Sequence, residues 1–165
     1  MTLVSATAVA LAAISAALAL EHLGGFEPCP LCLEQRTPYY IGIPLLAVLA
    51  AAQPDRVWDG WRTPALALVA VLLFSKGAWL GAYQAGAEWG LWDGPASCAA
   101  GVIGKGLAGA DLLAAVKGTA HVSCTVPALR VLGVSLAGWN ALSSGTVAAL
   151  SAAAATAAAR ARIAT

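Results

Sequence analysis

Charged side chains are scarce in this 165-residue chain, at 10% against about 25% in an ordinary soluble domain. That scarcity excludes a typical water-soluble globule. The 60% hydrophobic content also excludes disorder, which needs low hydrophobicity and high net charge. A net charge of +1 leaves no basic field to hold nucleic acid. Histidine occurs only at His22 and His121. With one tight cysteine pair and no second close chelate, a closed zinc site is disfavoured and no metal is expected. There is no repeat and no heptad run, and the length suits one domain. The first apolar stretch lacks a basic leader segment and three more such stretches follow, which argues for a retained span rather than a cleaved signal peptide.

Long apolar runs are what the chain has instead. Crossing the hydrocarbon core takes about 20 mostly apolar residues. Four stretches qualify, at 2–20, 33–52, 63–83 and 129–152, the last continuing as an alanine-rich run to Arg160. The expected fold is an all-α integral membrane protein, a four-transmembrane-helix bundle forming one domain over 1–165. An even number of spans puts both termini on one side. The middle connection carries Arg56 and Arg62, and the C-terminal tail carries Arg160 and Arg162. Short segments rich in Lys and Arg stay in the cytoplasm. Loops 21–32 and 84–128 then face the opposite compartment, although Lys105, Lys117 and Arg130 weaken the bias.

Aromatic residues fit that frame. Trp58, Trp61, Trp89 and Trp92 flank the spans, and Tyr39, Tyr40 and Tyr83 fall near span ends, where rings with one apolar and one wet side anchor to the interface. Within the long loop, Ile103, Leu107, Ala110 and Leu113 recur at helical spacing, as in a short helix lying on the membrane surface.

The four cysteines carry the chemistry. Cys29 and Cys32 form Cys-Pro-Leu-Cys where the second span begins, and Pro28 and Pro30 suit a helix start. A helix N-terminus favours a thiolate, because its macrodipole and unpaired N–H groups are positive. Arg36 follows Cys32 by one helical turn and adds a permanent charge at the apolar boundary. Cys98 and Cys124 both lie in the long outer loop. A bond between them would close the loop, worth about 3 kcal/mol. Equally, two disulfides on one membrane face suit serial exchange, in which a thiolate attacks a disulfide sulfur. A lipid-soluble two-electron oxidant could meet the first pair at the lipid edge, and a quinone is the common one.

These features resemble the disulfide bond formation protein B (DsbB) family. The resemblance rests on CPLCLEQR (Cys29 to Arg36), the separated pair Cys98 and Cys124, and the four-span order. EWGLWDGPASC (Glu88 to Cys98) and LGVSLAGWNAL (Leu132 to Leu142) add to it, and it runs from about Ala6 to Ala148. It implies a thiol:quinone oxidoreductase of the bacterial inner membrane, multi-pass with cytoplasmic termini, that reoxidises a periplasmic thioredoxin-like protein of the DsbA type. By position, Cys98 is the sulfur that the partner attacks, and Cys124 is its mate and passes electrons to Cys29. Cys32 then faces the quinone, and Arg36 supports quinone binding. Gln84 is a second candidate quinone contact, at a place where family members often carry histidine. A DsbA-type couple near about −120 mV is strongly oxidising, which favours ubiquinone over menaquinone as acceptor.

The remaining polar residues have plainer readings. Lys76 is expected to snorkel or meet a headgroup. Glu21 and His22 are read as a solvated helix end, with a proton relay as the alternative. Glu34 is read as a partner for Arg36, and Asn140 as an interhelical hydrogen bonder. Two rival functions remain. A vitamin K epoxide reductase-like enzyme would usually carry its quinone-side Cys-x-x-Cys after the other pair, the reverse of the order here. A non-enzymatic membrane protein with structural disulfides would not need Arg36.

Overall fold

The structure is a computed structural model that describes residues 2–52, 62–94 and 124–163. Four long helices dominate it: α1 (Thr2–His22), α2 (Pro30–Ala52), α3 (Arg62–Glu88) and α4 (Leu136–Ile163). Three of them, α1, α3 and α4, are long and apolar enough to cross a membrane. The expectation of four apolar spans is therefore met by three. The amino-terminal half of α2 is diluted by Glu34, Gln35, Arg36 and Pro38. Of these, Gln35 and Pro38 are buried and Arg36 is largely so, which turns much of that polarity toward the other helices.

The boundaries differ from the sequence reading where a local signal outweighs hydropathy. Helix α3 runs five residues past the expected end at 83, to Glu88. There Gly90, with φ 74°, takes the left-handed position. The Gly90 N–H bonds to Ala87 O and that of Leu91 to Gly86 O, which closes the helix in a Schellman turn. The stretch expected to open a span at 129 instead forms a small antiparallel hairpin, β1 (Arg130–Val131) and β2 (Val134–Ser135). Its two turn residues, Leu132 and Gly133, both have positive φ, as a two-residue hairpin turn requires. Ser135 then caps α4, its hydroxyl accepting the Gly138 N–H at 3.2 Å. The proposed surface helix at 101–118 lies outside the described residues.

Packing relies on small side chains. Leu3, Ala6, Ala10 and Ile14 present one face of α1 to Leu46 and Leu49 of α2, Ala67, Ala70 and Phe74 of α3, and Val147 of α4 in one core. Helices α3 and α4 approach closely at Gly77 and Gly81, a small-xxx-small pair that lets backbones meet where lipid gives no hydrophobic drive. A Cβ on Gly81 would lie 2.8 Å from Ala137 O and from Ala141 N, both backbone atoms. A Cβ on Gly145 would meet nothing within 4 Å.

Gly81→Ala should therefore destabilise the bundle by about 1–3 kcal/mol. Gly145→Ala should stabilise it by up to about 1 kcal/mol, through helix propensity alone. Thermal unfolding in detergent measures both, and equal shifts at the two sites would contradict the close approach of α3 and α4.

Candidate redox site

The Cys-Pro-Leu-Cys segment starts α2 in a specific way. Pro30 is the first helical residue, where its missing N–H costs nothing. Cys29 is therefore the N-cap. Its carbonyl accepts the Leu33 N–H at 3.0 Å and its sulfur accepts the Cys32 N–H at 3.1 Å. A sulfur thus takes the place usually held by a serine or aspartate oxygen. Cys29 and Cys32 are joined in a disulfide, with Cα atoms 5.0 Å apart. The pair lies at the positive end of the α2 macrodipole, which favours negative charge on either sulfur once the bond opens. Cys29 is only 2% exposed, whereas Cys32 is partly open.

Cys124, far along the chain, is fully buried in the same small cluster as Cys29 and Leu31, with Cys32, Leu80 and Tyr83 packed against it. It too is disulfide-bonded. Three of the four expected site cysteines are therefore gathered at one end of the bundle. Cys98 lies outside the described residues. The segment after α3 folds back over the same end. Trp92 stacks on Tyr83 with centroids 5.9 Å apart and donates its indole N–H to Tyr83 O at 2.9 Å.

Beneath the sulfurs lies a bed of polar side chains from three helices. Gln84 of α3, 5% exposed, points its Nε2 at Cys32 Sγ (3.6 Å), Cys29 Sγ (3.8 Å) and Glu88 Oε1 (3.3 Å). Its Oε1 accepts from Gln35 Nε2 of α2 at 2.6 Å. Asn140 Nδ2 of α4 donates to Gln35 Oε1, also at 2.6 Å. Tyr39 is not an interface anchor. It is 2% exposed, and its hydroxyl donates to Asn140 Oδ1 at 2.8 Å while its ring meets Phe74 edge-on. Sequence reading missed Gln35 and misplaced Tyr39. The available signal was polar groups three and seven residues after Cys32, on the same stripe of an apolar helix.

Beside this bed opens a cavity of about 470 Å³, with walls that include Ala13, Leu20, Phe26, Cys32, Gln84 and Trp139. Arg36 also lines it and is ion-paired with Glu21 of α1, itself on the cavity wall. In the solvated-end reading of α1, His22 is exposed, whereas Glu21 is partly exposed and engaged with Arg36. The expected Glu34–Arg36 pair is also corrected, since residues two apart on a helix do not face each other. Glu34 instead pairs with Lys76 of α3 at 3.1 Å, both side chains about half exposed on the outside of the bundle. Lys76 has a protein partner rather than only a snorkelling route. The second oxygen of Glu88 is buried with no hydrogen-bond partner among the described residues.

Fold and site together define a multi-pass helical membrane protein carrying a redox-type cysteine pair at the N-terminus of a helix. Comparison with known proteins names the family: residues 1–154 match the disulfide bond formation protein DsbB, and the chain belongs to that family. A disulfide bond formation protein B of Acidovorax sp. (strain JS42) is 39% identical over 90 residues, covering 54% of this chain and 47% of that protein. Another, from Verminephrobacter eiseniae (strain EF01-2), is 37% identical over 89 residues, or 54% of this chain and 46% of that protein. An uncharacterized protein of Rickettsia prowazekii (strain Madrid E) is 29% identical over 136 residues, or 81% of this chain and 74% of that one. The match thus spans about half the length of the relatives that carry the family name. No solved structure matches. The joined Cys29–Cys32 pair is in keeping with that membership.

The unequal burial of the two sulfurs gives a direct test. After reduction, iodoacetamide should modify Cys32 before Cys29, by roughly tenfold in rate given the access that thiolate reactions need. Mass spectrometry of timed samples reads this, and equal rates would show that the burial of Cys29 does not outlast its disulfide.

Proposed function

We propose that this chain is a four-span thiol:quinone oxidoreductase of the bacterial inner membrane, with cytoplasmic termini, that reoxidises a periplasmic thioredoxin-like dithiol protein of the DsbA type. The observation that carries this reading is a buried Cys29–Cys32 disulfide flanked by Cys124 on one side and an apolar cavity on the other. A partner thiolate attacks Cys98 in the Cys98–Cys124 bond. The Cys124 thiolate so released attacks Cys29, and the electron pair leaves on Cys32. Each step is an exchange of one sulfur–sulfur bond for another and needs no outside oxidant.

The cavity fits a quinone by size and lining. Its volume lies within the usual range for small-molecule sites, about 300–1,000 Å³, with mostly apolar walls and a few convergent polar groups. A bound quinone supplies the two-electron, two-proton acceptor. Ala13, Leu20 and Phe26 would face its apolar parts, and Arg36 would direct a donor at a carbonyl oxygen. Glu21 holds the guanidinium in place and balances its charge. Gln84 stands between the sulfurs and the polar bed, placed to donate to a sulfur. Nothing in the cavity chooses between ubiquinone and menaquinone. The driving-force argument favours ubiquinone, because the oxidising couple upstream needs an acceptor of comparable or higher potential.

The purified chain should oxidise a reduced DsbA-type protein in a quinone-dependent way. Cys29→Ala and Cys98→Ala should each abolish turnover, and Arg36→Ala should raise the KM for quinone by roughly tenfold or more, the loss of a charge-assisted hydrogen bond. Full activity of either cysteine variant would break the relay. No turnover with any quinone would bring forward the reading of these bonds as structural.

A further inference from the structure

The polar bed beneath the disulfide has a direction. Tyr39 OH donates to Asn140 Oδ1, Asn140 Nδ2 to Gln35 Oε1, Gln35 Nε2 to Gln84 Oε1, and Gln84 Nε2 toward both cysteine sulfurs. From Asn140 to Gln84 each amide accepts from the member before it and donates to the next, and at the near end Gln84 Nε2 lies 3.6 Å and Oε1 3.9 Å from Cys32 Sγ. Gln84 Nε2 also donates to Glu88 Oε1 at 3.3 Å. With Gln84 in this orientation, each amide further back takes the matching one. Ser144, fully buried on α4, stands 2.8 Å behind the Tyr39 hydroxyl.

Aligned hydrogen bonds polarise one another, so the final donor in such a chain is stronger than an isolated amide. A neutral disulfide gains little from it. A thiolate gains much more, because hydrogen bonds to ionised groups are about twice as strong as neutral ones. We propose that Tyr39, Asn140 and Gln35 are positioning residues that act through Gln84 to stabilise the thiolate left on Cys32 when the Cys29–Cys32 bond opens. In that step an incoming protein thiolate forms a bond to Cys29 Sγ, the Cys29–Cys32 bond breaks, and the electron pair stays on Cys32 Sγ. This rests on the thiol–disulfide exchange of the proposed function, but not on the quinone.

Network packing alone would act equally on the oxidised and reduced forms. Stabilisation of an anion acts on the reduced form only, and only while it is ionised. The charged groups around the site are Glu88 on α3, Arg36 on α2 with its partner Glu21 on α1, and Glu27 in the α1–α2 connection, and α4 contributes none to the cavity wall.

The test uses the full chain carrying Cys98→Ser and Cys124→Ser, so that only the Cys29–Cys32 pair exchanges with a dithiothreitol redox buffer. Tyr39→Phe, Asn140→Leu and Gln35→Met should each raise the disulfide-to-dithiol ratio at alkaline pH by about two- to fourfold, the cooperative share of a charge-assisted bond. The gap should close as the pH falls through the titration of the thiolate, followed by its ultraviolet absorbance. Tyr39→Phe keeps the ring and its Phe74 contact, so it reports even if a longer truncation fails to fold. Unchanged ratios in Tyr39→Phe and Gln35→Met, or a gap of the same size at every pH, would overturn the proposal. Absence of quinone-dependent turnover by the unsubstituted chain, with these ratios behaving as expected, would instead sink the quinone reading alone.

Discussion

The hydrogen bond between Gln35 and Gln84 joins α2 to α3 directly beneath the disulfide. In water such a contact would be exchanged for solvent at little cost. Inside a bundle flanked by hydrocarbon, an unmet amide loses several kcal/mol, so each must find its partner within the protein. Gln35 spends its two ends on Gln84 and Asn140, and Asn140 thereby brings α4 to the same point. Three helices are registered by one short run of side chains. The position of the Cys32 sulfur relative to the cavity follows from that register.

Charge is handled by the same rule. The chain has few charged side chains, and four of them form two opposite pairs between helices. Arg36 meets Glu21 on the cavity wall, and Lys76 meets Glu34 on the outer surface. A lone charge at such depth is expensive, and pairing lowers the cost while fixing where each long side chain points. The two pairs also divide α2 into an inner and an outer side, since Glu34 and Arg36 leave the helix in different directions. Gln35, Tyr39 and Arg36 are thereby kept on the side that faces the disulfide and the cavity.

Shape supplies what hydrophobicity cannot. Lipid tails are as apolar as leucine, so burying an apolar face does not by itself select one helix neighbour over another. Close approach does: Gly81 meets the α4 backbone at Ala137 and Ala141, and Gly77 makes room for both Ser144 of α4 and Pro38 of α2. The same α4 face delivers Asn140 to Gln35. Tight backbone packing and the polar bed are therefore two readings of one helix contact, and a change in either would shift the other.

Much of this protein is legible in its amino-acid order. Apolar runs show the long helices, because length and hydropathy are local properties, and the expected 2–20 and 33–52 lie within α1 and α2. Cys-Pro-Leu-Cys shows where a helix begins, because capping chemistry is also local. Boundaries at Glu88 and Leu136 were harder, since Gly90, Gly133 and Ser135 act through dihedrals and hydrogen bonds that a hydropathy window averages away. The partners of charged and polar groups were not legible at all. Glu21 with Arg36, Lys76 with Glu34, and Tyr39 with Asn140 join residues far apart in the chain, and the helix-to-helix register that unites them exists only in three dimensions. Residue order alone determined which groups carry sulfur chemistry and which segments are apolar. Tertiary packing decided which way each polar group points, because inside a bundle flanked by hydrocarbon a buried polar group is satisfied by a neighbouring helix.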